Sequence, residues 1–165
     1  LATIHKEKEA ALQKEDYDAI ILAAAGLKRL GWSDDVVTEY LETDICLPAV
    51  AQGSLGIECR ADDAELRAEL TKLTNQATWI SANAERSFLA AMDGGCQVPI
   101  AGYATVSGDE ITLTGMVAAP DASVIFKETL TGTDADALGK AVAAKLTEQG
   151  AFDLIQNVKA ELDAQ

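Results

Sequence analysis

The chain has 165 residues, 48% of them hydrophobic and 24% charged, a balance ordinary for a soluble globular protein with enough length to bury a core. Its 27 acidic against 13 basic residues give a net charge of −14, shared evenly between the two halves with no basic stripe, which argues against a nucleic-acid partner. No apolar run approaches the roughly 18 residues that span a bilayer, and no basic leader precedes an apolar core, so neither a membrane nor secretion is expected.

In chain order, residues 3–14 alternate charges at helical spacing and read as an exposed helix. His5, the single histidine, sits there as a bystander. The opening, Leu1 to Lys6, reads as mid-helix, so the chain is taken as part of a longer protein. After Asp18, the run Ala19–Ala25 is apolar and too brief for a helix of its own. It reads as a strand covered on both faces, as in a parallel α/β sheet. Gly26–Gly31 follows as a short helix closed by glycine. Val36–Ile45 reads as another strand, ending at Leu47-Pro48. Ala49 to Gly56 is a glycine-punctuated crossing segment, and Ile57–Arg60 a brief strand.

Two helices come next. Asp62 or Asp63 caps the first, which runs to about Leu73, and Thr74 or Asn75 caps the second. In the second, Trp79, Ile80, Ala84, Phe88, Leu89 and Met92 recur at the helical period. Gly94-Gly95-Cys96-Gln97-Val98-Pro99 then places a cysteine at the tip of a glycine turn. Beyond it the period becomes two, and three antiparallel strands are expected near 100–106, 110–118 and 123–131, with turns at Ser107-Gly108-Asp109 and Ala119-Pro120-Asp121. Thr133 and Asp136 resemble a capping box for a helix using Leu138, Val142 and Leu146, which Gly150 stops. A last helix uses Phe152, Ile155, Val158 and Leu162. Three strands with one apolar face need helical cover, so residues 75–165 should form an α+β unit in which three helices cover a three-stranded antiparallel sheet.

The cysteines, Cys46, Cys59 and Cys96, match no zinc spacing, and an odd count suits free thiols in a reducing cytoplasm. Cys46 and Cys59 are expected to be buried and inert. Arg60 and Arg86 read as structural ion-pair partners, and Arg29 by itself as an exposed helix-end cation.

Four segments, in order, resemble porphobilinogen deaminase (hydroxymethylbilane synthase): Tyr17–Ala23 with Gly26–Leu30; Leu47–Gly53 with Gly56–Arg60; Ala84-Glu85-Arg86; and the loop Gly94–Tyr103. One departure is Ala51, where that family commonly has glycine. The resemblance implies the C-terminal half of a three-domain cytoplasmic transferase, a monomer, in tetrapyrrole (haem) biosynthesis. Such an enzyme condenses four porphobilinogen molecules into hydroxymethylbilane on a covalently held dipyrromethane primer, with loss of ammonia.

On that resemblance, residues 1–46 are the remnant of a periplasmic-binding-protein-like α/β domain, 47–73 a hinge segment returning to the first domain, and 75–165 the cofactor-carrying domain. Cys96 would hold dipyrromethane through a thioether. Arg29 would bind cofactor and substrate carboxylates, and Gln52 and Gly53 would offer an amide and a backbone N–H to the cofactor, although a tight-turn role explains these two nearly as well. The partners implied are porphobilinogen, the growing polypyrrole chain and the missing N-terminal half. The catalytic aspartate would lie in that half, leaving none here. The rivals are a non-catalytic small-molecule binding module of periplasmic-binding-protein type, with no use for an exposed thiol, and a thiol redox protein, which would want a second cysteine nearby.

Overall fold

A computed structural model describes residues 19–32, 37–93 and 98–163. The helix expected over 3–14, with His5, lies outside the described residues, as does Cys96 with its neighbours Gly94, Gly95 and Gln97. The chain divides into two compact units, Leu1–Tyr40 and Leu41–Gln165.

In the first unit the expected strand over 19–25 is not formed. Residues 19–23 have no ladder partner among the described residues, Ile21 is exposed, and helix α1 (Ala24–Arg29) begins inside the apolar run. A strand needs at least one neighbouring strand to pair with, and no described residue offers one. The helix does close as the sequence suggests. Gly31 takes φ 74°, with Trp32 N donating to Leu27 O at 3.0 Å and Gly31 N to Lys28 O at 3.1 Å, the paired bonds of a Schellman motif. Lys28 Nζ lies 5.5 Å from the centre of the Tyr40 ring, a cation–π contact.

The second unit begins with a segment that buries none of its side chains between 41 and 73. Neither 37–45 nor 57–60 forms a strand: a turn occupies 43–45, and 54–60 has no regular secondary structure. Helix α2 (Ala64–Thr71) is capped by Asp63, whose Oδ1 accepts from Leu66 N at 3.1 Å. Helix α3 (Gln76–Ala91) is capped by Asn75, whose Oδ1 accepts from Thr78 N at 3.0 Å.

Strands β1 (Ile100–Ser107), β2 (Glu110–Ala118) and β3 (Ile125–Gly132) form an antiparallel sheet in the order β1-β2-β3. Period two sets its faces. Ile111, Leu113, Gly115 and Val117 point to the helices, and their register partners Val106, Ala104, Gly102 and Ile100 do the same. On the opposite face Thr114 and Thr129 join hydroxyls at 2.9 Å. Helices α4 (Ala135–Glu148) and α5 (Ala151–Asp163) complete the unit: α3 covers β1 and β2, α4 covers β2 and β3, and α5 packs on α4 and β2.

The capping residue of α4 is Asp134, not Thr133. Asp134 Oδ1 accepts from Ala137 N at 2.8 Å, while Asp136 is engaged elsewhere, with Lys140 and Ser87. The core is Ala84, Phe88 and Met92 of α3 and its C-cap, the inward β2 residues, Leu138, Val142 and Leu146 of α4, and Ile155 and Val158 of α5. Trp79 lies off that stripe and is 58% exposed.

Helices α3 and α4 approach most closely at Gly139, where a Cβ would sit 2.6 Å from both Ala84 O and Phe88 N. Backbone cannot retreat there without separating the helices. Gly139→Ala is therefore expected to cost about 1–3 kcal/mol, the usual penalty of overpacking, read as a lower melting temperature; an unchanged melting temperature would contradict this account of the helix interface.

Candidate functional site

Two of the segments singled out by sequence meet on β1. The first is the turn after Pro48. Gln52 N donates to Ala49 O at 3.0 Å, Gln52 Oε1 accepts from Ala49 N at 3.0 Å, and Ser54 N donates to Ala51 O at 3.1 Å. Ala51 and Gly53 both have positive φ, 57° and 88°. Gln52 thus serves the tight turn through its side-chain oxygen, and its side chain is exposed. Gly53 is exposed too, with nothing within 4 Å of where a Cβ would stand. The turn leaves both groups open to a ligand.

The turn is fastened to β1 at three points. Gly102 N donates to Pro48 O at 3.0 Å, and the Val50 side chain lies 3.2 Å from the place a Cβ on Gly102 would occupy. The third point is Glu85, on α3. Its Oε2 accepts from Ala51 N at 2.6 Å and its Oε1 from Ala104 N at 2.8 Å. Glu85 is only 6% exposed, the one buried charged residue among those described. Burial pushes its carboxyl above the ordinary glutamate range, and the N–H groups of Ala104 and Ala51 act against that rise. Only between the unfolded value and this raised one does the native chain bind a proton at Glu85 more readily than the unfolded chain, and above that window Glu85 is a carboxylate. The stability this contributes is present below about pH 4.3, the unfolded value, and is lost as pH rises through the folded one.

The second segment is the cysteine loop, whose two stems are described. At the end of α3, Asp93 takes φ 52°, and Lys159 of α5 grips it, Nζ donating to Asp93 O at 2.5 Å and to Oδ2 at 2.8 Å. On the other side Val98 is buried, and Pro99 O accepts from Ala118 N at 3.0 Å, leading directly into β1. The two stems that flank residues 94–97 in sequence are thus each held in place.

Each of the other expected residues has its own local setting. Arg29 lies in the first unit, exposed in the last turn of α1, where a cation suits the helix C-terminus. Arg60 pairs with Asp63 at 3.0 Å as expected, whereas Arg86 is exposed and has no ion pair among the described residues. Cys46 and Cys59 are free and exposed, not buried. The cause is local: both fall in the 41–73 segment, of whose described residues only Val50 packs against the core, from a half-buried position.

Glu85 was quoted in the sequence only as part of a resembling triplet. Its signal was legible, because Ala84, Glu85, Phe88 and Met92 share one helical stripe and an acid stands among three core positions. Asp93 and Lys159 gave no such signal, being far apart in sequence. Their contact holds the Asp93 carboxyl below the usual carboxylate range, chiefly through the Lys159 hydrogen bond, so its stabilisation exists at neutral pH and is lost as pH falls through that lowered value. In Lys159→Met the Asp93 carboxyl is expected to titrate higher than in the parent chain, followed by carbon-13 shifts; an unmoved titration would exclude the latch in solution.

Comparison with known proteins follows the same division. Residues 6–68 match the family model described as porphobilinogen deaminase, dipyromethane cofactor binding domain, and residues 79–148 match porphobilinogen deaminase, C-terminal domain. Gln52 and Gly53 fall within the first match, Glu85 and Cys96 within the second. The chain is 74% identical over 155 residues to the porphobilinogen deaminase of Lysinibacillus sphaericus, covering 94% of this chain and 50% of that protein. Identity to the enzyme of the same name in Bacillus subtilis is 60% over 153 residues (92% of this chain, 49% of the relative), and in Staphylococcus aureus 58% over 148 residues (89% and 48%). The chain spans about half the length of the curated relatives it matches. Its order of segments, its cysteine loop and these matches agree: the chain belongs to the porphobilinogen deaminase family.

Proposed function

We propose that this chain acts as part of a porphobilinogen deaminase, the transferase that condenses four porphobilinogen molecules into hydroxymethylbilane and releases ammonia at each step. The observation that carries the reading is the 74% identity sustained over 155 residues. A periplasmic-type binding module gives no reason for that identity or for a cysteine directly after a glycine pair. The intact protein is read as a cytoplasmic monomer. Residues 1–46 belong to an α/β domain completed by sequence outside this chain, 47–73 form a hinge segment, and 75–165 are the cofactor-carrying domain.

Within this reading Cys96 carries dipyrromethane. Its Sγ forms a C–S bond to a pyrrole methylene as ammonia leaves that carbon, the thiol proton balancing the departing amine. The residues present fit the group. A single thiol stands between stems fixed at Asp93 and Val98, and the adjoining strand presents the exposed Gln52–Gly53 turn. When bound, dipyrromethane supplies the primer on which the chain of pyrroles grows. Gln52 Nε2 and Gly53 N offer neutral donors to its carboxylates. Arg29 offers a planar guanidinium, able to pair bidentately with the acetate and propionate groups of cofactor and substrate.

Only four arginines occur in the sequence, too few for the accumulating carboxylates of a growing polypyrrole, and no aspartate here is assigned to proton transfer. The purified 165-residue chain is therefore expected to leave porphobilinogen unconverted, while the full-length protein turns it over. Measurable hydroxymethylbilane from the chain alone would overturn that division of labour.

Peptide mass mapping of the full-length protein tests the attachment. A two-pyrrole adduct is expected on the Cys96 peptide and absent in Cys96→Ser, whereas Cys46→Ser and Cys59→Ser retain it. Because Cys46 and Cys59 are exposed, alkylation alone cannot identify the site. An adduct on either of those residues, or active enzyme with none, would sink the assignment.

A further inference from the structure

We propose that Glu85 is a positioning residue for the Ala49–Gly53 turn, its two carboxylate oxygens fastening that turn to the open edge of β1 beside the strand into which the 94–97 loop leads. The argument begins with the edge. β1 pairs with β2 on one side only, so alternate N–H groups on its other side, Gly102 and Ala104, have no sheet partner. Pro48 O meets the first of them, as a fourth strand would. Two residues on, such a strand would supply its next carbonyl, but here the chain has turned, Gln52 N closing onto Ala49 O. Glu85 Oε1 stands in for that carbonyl at 2.8 Å from Ala104 N.

The other oxygen reaches the turn itself. Ala51 is left-handed, and Glu85 Oε2 receives its N–H at 2.6 Å. Both oxygens are engaged by main-chain donors, and Glu85 has no ion pair among the described residues. A neutral amide cannot reproduce this. Glutamine has one acceptor oxygen, and its NH2 would face a second N–H. Aspartate is one methylene short of spanning both donors. What Glu85 fixes is the course of the backbone at Gln52 and Gly53, the exposed groups given a cofactor-binding role above. Its importance for the cofactor rests on that reading; the fastening itself does not.

The test separates the two. In the unmodified 165-residue chain, the Ala51 amide is expected to exchange about tenfold or more slowly than the neighbouring Gly53 amide, the scale of one hydrogen bond to a charged acceptor. Its proton should also lie downfield, as a short charge-assisted bond requires. In Glu85→Gln, Ala51 and Ala104 should lose protection while Leu113 and Val117 in β2 keep theirs. An Ala51 amide as fast as Gly53 in the parent chain, which needs no variant to fold, would overturn the proposal, as would undiminished protection in Glu85→Gln. In the full-length protein, Glu85→Gln should lower the fraction of molecules carrying the two-pyrrole adduct several-fold, by intact mass, while the β2 amides keep their protection. Normal loading in a variant whose Ala51 amide is deprotected would refute the positioning role. A parent enzyme with no adduct would instead refute the cofactor assignment, and the amide data would still decide whether Glu85 fastens the turn.

Discussion

Phe88 has no accessible surface, and the space it fills exists because glycine stands on the elements around it. A Cβ on Gly115 of β2 would come within 2.8 Å of the Phe88 ring, and one on Gly139 of α4 within 2.6 Å of the Phe88 backbone. The ring therefore lies nearly on the sheet while α4 lies nearly on α3. Fully burying an aromatic ring of this size is worth roughly 1.5–3 kcal/mol, and the close approach lets Leu113, Val142 and Leu146 seal the rest of the core. Helix α3 can hold nothing else in place until this contact fixes its height and rotation.

Glu85 is one turn from Phe88 on the same helix, and its role follows from that placement. Once Phe88 sets the helix on the sheet, the side chain at 85 falls at the edge of β1, level with Ala104. An apolar residue there would leave the Ala104 N–H without an acceptor, a loss of about 1–3 kcal/mol for a buried donor. A buried carboxylate would be costly on its own, but two main-chain donors, both closer than 3 Å, compensate for the water it loses. Core packing and the order of the candidate site are thus set by the same helix.

The parts of this architecture legible in the sequence are those whose partners are close by. The alternation through 111–117 places β2, and hairpin turns at Gly108 and after Ala119 place its neighbours within a few residues. The spacing of Ala84, Phe88 and Met92 likewise fixes the buried face of α3. Ala19–Ala25 was misleading for the opposite reason: an apolar run specifies a strand only where a sheet receives it, and its partners are not among the described residues. Cys46 and Cys59 have the type of core residues, yet both are exposed, and in their segment only Val50, among the described residues, packs against the core. At α4 two neighbouring acids and a threonine competed to cap, and only the geometry of the first turn chose Asp134.

Ala51 shows how the site tolerates an unfavourable local choice. Its φ of 57° is one that glycine adopts freely, and an L-residue there carries a penalty of roughly 1–2 kcal/mol. In this turn the Ala51 N–H donates to Glu85, and a hydrogen bond to a charged acceptor is worth about 1.5–3 kcal/mol. The two magnitudes are comparable, so the bond can offset the strain. A methyl group at this position is then compatible with the turn while the carboxylate stays in reach, and the conformation of Gln52 and Gly53 depends less on the identity of residue 51 than on the acid 34 residues further along the chain.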